Sequence, residues 1–81
     1  MLAAIGANIR AEREKADIAQ EVIAAAIPLS RAHYGLVERG RTNLTIATLA
    51  RIAVTLNRPI EALVPTLPEL VQLTAVSVAA V

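Results

Sequence analysis

The fold turns on three adjoining stretches: Gln20-Glu21-Val22-Ile23-Ala24-Ala25-Ala26, the break Ile27-Pro28-Leu29, and Ser30-Arg31-Ala32-His33-Tyr34-Gly35-Leu36-Val37-Glu38-Arg39-Gly40. The first is rich in helix formers. Pro28 stops it, because proline has no N–H to donate and its ring crowds the preceding turn; it should also push Ile27 toward an extended conformation. Ser30 is a good N-cap for a second helix running to about Glu38. Gly40 then stands where a left-handed cap is wanted.

Working outward, residues 2–15 predict a helix with Leu2, Ile5 and Ile9 on one face and Arg10, Glu12, Arg13, Glu14 and Lys15 mostly elsewhere. Asp17 with Gln20 three residues on comes close to a capping box for the helix that follows. Beyond Gly40, Arg41 to Leu44 is a polar link and Thr45 caps another helix. Its Ile46, Leu49, Ile52, Ala53 and Leu56 form a stripe at helical spacing. Asn57-Arg58-Pro59 is a break, and residues 60–64 make a short helical piece ended by Pro65. Thr66-Leu67-Pro68-Glu69 is another helix start, with a threonine cap, proline in the first turn and glutamate at the third position. The last helix is expected to run nearly to Val81. There is no strand signal, so the class is all-α: a five-helix domain over 1–65 and an apolar C-terminal helix over 66–81.

Bulk properties narrow the function. Eighty-one residues without cysteine form one small core with neither disulfides nor a thiolate metal site. One histidine, no glycine-rich phosphate loop and no clustered acids leave no nucleophile–base set to propose. Neither an enzyme nor a cofactor or metal is therefore expected. No apolar run reaches the roughly 18 residues that cross a bilayer, and the opening residues do not read as a signal peptide, so a cytoplasmic protein is expected. The net charge of +1 hides an asymmetry. Residues 29–60 carry Arg31, Arg39, Arg41, Arg51 and Arg58 against Glu38 alone, whereas the remainder has three basic against six acidic residues. A polyanion would meet the basic side first.

Two short helices joined by a tight break are how small proteins lay a helix in the DNA major groove. Together with Ile9-Arg10, Arg13, Ile18, Gln20, Ile23-Ala24, Leu29-Ser30, Val37-Glu38-Arg39-Gly40, Leu49, Ile52-Ala53 and Leu56, the chain resembles the phage repressor/Cro-type (XRE) helix-turn-helix family over about residues 5–64. Glu38-Arg39-Gly40 followed by Asn43-Leu44-Thr45-Ile46 is most similar to the small controller regulators of restriction–modification systems. The resemblance implies a dimeric transcriptional regulator, repressor or activator. It also implies an ion pair between Arg10 and Glu38 that ties the first helix to the end of the reading helix. The chain departs from the family pattern at Pro28, where glycine is usual, at Ala19, where a Ser or Thr cap is usual, and at Gly35 within the reading helix. The turn at Pro28 is therefore expected to be built differently.

With Tyr34 and Val37 facing inward, Arg31, Ala32, Gly35 and Leu36 are expected to face outward. The first turns of a reading helix lie deepest in the groove, which makes Ser30, Arg31, Ala32 and Leu36 the candidates for base readout. Arg31 has the fork that matches guanine O6 and N7, and for Leu36 partial burial is an equal expectation. Gln20, His33, Arg39, Arg41, Asn43 and Thr45 are candidates for the DNA backbone.

With 56% hydrophobic residues and Tyr34 the single aromatic, the chain has more apolar surface than so small an interior can hold. Leu67, Leu70, Val71, Leu73 and Val76 of the last helix are the expected homodimer contacts, with double-stranded DNA as the other partner. Control would come from concentration, RNA polymerase, or a regulatory protein that captures the tail or the DNA face. The alternative is an antitoxin or adaptor that uses the same fold mainly to bind protein.

Overall fold

The computed structural model describes residues 1–75 and, over them, is wholly helical. In order come α1 (Leu2–Lys15), α2 (Gln20–Ala26), α3 (Arg31–Glu38), α4 (Ile46–Leu56), a 3-10 turn at Ile60–Ala62, and α5 (Leu67–Thr74). The core is formed by Ile9 of α1, Ile23, Ala24 and Ile27 at α2, Tyr34 and Val37 of α3, Leu49, Ile52, Ala53 and Leu56 of α4, and Leu63 after the 3-10 turn. α3 packs on both α1 and α2, and α4 closes the other side against α1, α2 and the 3-10 turn. Tyr34, Ile9, Ile23, Ile52 and Leu63 are fully enclosed, and burying an aliphatic side chain of that size contributes roughly 1.5–3 kcal/mol.

The caps explain where each helix starts and stops. The Ser30 hydroxyl accepts from the His33 N–H at 3.1 Å, and the Thr45 hydroxyl from the Thr48 N–H at 3.1 Å. Gly40, at φ 67°, ends α3: its N–H donates to the Val37 carbonyl and that of Arg41 to the Leu36 carbonyl, at 3.1 and 2.9 Å. Asn57 ends α4 in the same way, at φ 54°.

Two local expectations are corrected. Asp17 does not open α2; at φ 56° it closes α1, donating its N–H to Glu14 while Ile18 donates to Arg13. α2 starts at Gln20, with Ala19 at its N-cap and no side-chain cap. Ile27 is not extended but stays in the last helical turn at φ −87°, ψ −5°, because its side chain is buried in the core and that packing outweighs the preference imposed by Pro28. The turn is indeed built differently, since no residue from Ile27 to Ser30 has positive φ. It closes instead with the Leu29 N–H donating to the Ala24 carbonyl at 2.6 Å.

α1 meets the end of α3 backbone to backbone. A Cβ on Gly6 would fall onto the carbonyl oxygens of Val37 and Glu38, and one on Gly40 onto the backbone of Ala3. α5 contrasts with this. It has no buried residue, and its described end is at Thr74, with Ala75 in the left-handed region. Val76, among the expected dimer contacts, lies outside the described residues.

Candidate nucleic-acid interface

The face expected to meet DNA is supported by a buried polar cluster centred on Glu38, the last residue of α3. Arg13 of α1 donates from Nε to Glu38 Oε2 at 2.6 Å and from Nη2 to Oε1 at 3.2 Å, and its Nη1 donates to the Ile18 carbonyl at 2.9 Å. Gln20 Nε2 donates to Oε1 at 2.9 Å, and the Tyr34 hydroxyl donates to Oε2. Burial by itself would raise the Glu38 carboxyl, but the hydrogen bonds from Arg13, Tyr34 and Gln20 overcome it and hold the group below the ordinary carboxylate range. Burial, and then the bond to Glu38, push the Tyr34 phenol upward. Among the described residues no buried side-chain nitrogen or oxygen lacks a partner. The cluster therefore joins α1, α2 and α3 as one unit.

The ion pair implied by the family pattern is present with a different arginine. Arg10 does not reach Glu38; its Nε pairs with Glu14 Oε1 at 2.9 Å on the exposed side of α1. The helix face toward α3 carries Gly6, Ile9 and Arg13, at three- and four-residue spacing, and Arg10 lies about 100° around from Ile9. That spacing was available in the sequence as a signal for Arg13.

The reading-helix candidates lie at its accessible end. Ser30, Arg31, Ala32 and His33 are exposed, whereas Leu36 is half-buried. Arg31 is tethered: its Nε lies 3.0 Å from Glu21 Oε1 on the first turn of α2, and both side chains remain largely in solvent. Gly35 is not an outward surface position, because the Arg39 side chain lies over it. Gln20, Arg31, Ala32, Gly35 and Arg39 together line a polar depression of about 500 Å³. Arg41, Asn43 and Thr45 are exposed on the link to α4 and do not line it. Sequence reasoning missed Glu21 as the partner of Arg31 and Gln20 as a partner of Glu38. No group of metal-ligating side chains occurs among the described residues, and no helix there is long and apolar enough to cross a membrane.

Two short helices locked across a tight turn, the second exposing its N-terminal residues and ending on a buried glutamate, define a helix-turn-helix protein. The chain belongs to the helix-turn-helix family HTH_3, whose model matches residues 9–63. It is similar to the control protein C.MunI of Mycoplasma sp, with 39% identity over 41 residues, 51% of this chain and 55% of that protein. The match thus spans only about half of that relative. Among solved structures it resembles the restriction-modification controller protein C.AhdI of Aeromonas hydrophila, at TM-score 0.74 and 28% identity over 78% of this chain and 96% of that one. It also resembles the hypothetical transcription factor NHTF of Neisseria, at TM-score 0.73 and 28% identity over 90% and 85% of the two chains. The clp gene regulator ClgR of C. glutamicum shares the fold at TM-score 0.73, with 24% identity over 75% and 79%. The likeness to restriction–modification controllers read from Glu38-Arg39-Gly40 and Asn43 to Ile46 is matched by C.MunI and C.AhdI.

Proposed function

We propose that this chain is a sequence-specific DNA-binding transcriptional regulator that reads a palindromic operator as a homodimer, with α3 in the major groove. The observation that carries this reading is the division of α3. Tyr34, Val37 and Glu38 are buried, while Ser30, Arg31, Ala32 and His33 stay accessible at the end that enters a groove. In this reading Ser30, Arg31, Ala32 and the exposed part of Leu36 meet base edges. Arg31 leaves Glu21 to take guanine O6 and N7. Arg41, Asn43, Thr45 and His33 meet phosphates. Gln20 commits one amide N–H to Glu38 and has its second N–H and its carbonyl oxygen for the backbone.

The second copy is proposed to join through residues 66–81. Leu67 and Leu73 are 63% and 47% exposed, and Leu70 and Val71 are half-covered. An apolar helix left so open in a small protein is suited to a subunit interface. Two reading helices about 34 Å apart would then match half-sites one DNA turn apart. Such a regulator would act in the cytoplasm, with no enzymatic step, and RNA polymerase or a capturing protein are the partners through which it would be controlled.

Selection of bound duplexes from a random pool tests the reading. The expected result is an enriched inverted repeat. Arg31→Ala should abolish the sequence preference and leave weak general binding, while Arg41→Ala should weaken binding to every sequence and reduce its salt dependence. A protein that enriches no duplex at low ionic strength is instead an adaptor or antitoxin on this fold.

A further inference from the structure

Arg31, Gly35 and Arg39 occupy one stripe of α3 at four-residue intervals, with Arg39 as the capping residue. A side chain rooted at that end of a reading helix would ordinarily stand far from the bases met by its first turns. Here it folds back. Arg39 Nη1 lies 3.2 Å, and Cζ and Nη2 3.8 Å, from the point where a Cβ on residue 35 would be. The guanidinium thus covers the middle of the helix, inside the depression it shares with Gln20, Arg31 and Ala32. Among the described residues Arg10, Arg13, Arg31 and Arg58 are paired with carboxylates and Arg51 with the Ile27 carbonyl, whereas Arg39, like Arg41 on the link to α4, has no such partner. Its planar fork is placed at mid-helix with its donors unspent.

Resting on the DNA-reading role above, we propose that Arg39 is a specificity-determining residue that reads a guanine in each half-site, through the space that the missing side chain of Gly35 leaves open. The base expected is guanine because its O6 and N7 accept two parallel N–H bonds from one guanidinium. Gly35 does not read a base itself; it positions Arg39. A methyl at residue 35 would displace only the far end of a flexible side chain, so Gly35→Ala should fold normally while moving the reading group.

The test is selection from a random duplex pool, followed by titration of the selected duplex and its single-base variants at several salt concentrations. The proteins are the wild type, Arg39→Lys and Gly35→Ala, each with a thermal melt as a folding control. The wild type should require guanine at a position that Arg39→Lys no longer distinguishes, with roughly tenfold or greater loss of discrimination at that position alone. Because lysine keeps the charge, the salt slope should stay the same. Gly35→Ala should melt no lower than wild type and alter preference at that same position. Arg39→Lys selecting the wild-type sequence with undiminished discrimination, or losing affinity equally for all sequences, assigns Arg39 to phosphate and overturns the proposal. A wild type that enriches nothing is a different result: it removes the DNA-reading role beneath it.

Discussion

Arg13 holds both carboxylate oxygens of Glu38, with contacts of 2.6 and 3.2 Å, and so fastens the last turn of α1 to the last residue of α3. The side chains are 12% and 3% exposed, which places the pair inside the protein rather than on its surface. Removing one partner leaves a charge that water cannot reach. Arg13→Ala is expected to lower stability to urea by about 3–5 kcal/mol. Arg10→Ala, which breaks only the exposed pair with Glu14, should change it by less than about 0.5 kcal/mol. Equal losses in the two variants would mean that the buried pair is not what anchors α3.

The same cluster sets a pH dependence. The folded Glu38 carboxyl is held below its ordinary value of 4.5. Its contribution is therefore complete above that pH and drains away as pH falls toward the folded value. Tyr34 works in the opposite sense: its phenol is pushed above 10.0, so its contribution is present below about pH 10 and lost above it. The difference in urea midpoint between wild type and Glu38→Gln should hold above about pH 5 and shrink as pH falls from there to about pH 3. A constant difference over that range would show that Glu38 titrates normally in the folded protein.

Two glycine substitutions should act in opposite directions. Gly6→Ala drives a methyl into the carbonyls of Val37 and Glu38, which belong to backbone and cannot swing aside. It should cost about 1–3 kcal/mol through displacement of α1. Gly35→Ala meets only the tip of Arg39 and gains the helix preference of alanine, up to about 1 kcal/mol of stability. Thermal melts of both variants would decide this, and a stable Gly6→Ala protein would contradict the close approach of α1 to α3.

Glu21 is expected to restrain DNA binding. It holds Arg31 at 3.0 Å and places a carboxylate on the side where phosphates would come. Glu21→Gln should tighten binding to unselected duplexes several-fold at low salt, with a smaller effect as salt screens the charge. Unchanged affinity would show that the Glu21–Arg31 pair opens at no cost.

Light scattering can test α5. Removing residues 66–81 should convert a dimer to a monomer that keeps the helices of residues 1–65, since none of the described residues in α5 is buried in the domain. A truncated protein that still dimerises would place the interface elsewhere, for example on the exposed Ile46 and Val54 of α4.

What the sequence determined by itself is local. Ser30 and Thr45 as caps, Gly40 as a left-handed stop, the inward Tyr34 and Val37, and the order of the helices all follow from dihedral preferences, hydrogen bonds across three or four residues, and apolar periodicity. Those forces act over single turns, so they can be read along the chain. What only the tertiary structure decided is which face each helix turns toward another. Arg13 rather than Arg10 reaches Glu38, 25 residues away; Gln20 is drawn to the same carboxylate; Gly6 admits the end of α3; and Arg39 lies back over Gly35. Periodicity identifies an apolar face only to within about one residue's rotation, roughly 100°, and that is the whole difference between Arg10 in solvent and Arg13 at the core. Close packing of distant segments selects between them, and no local preference carries that information.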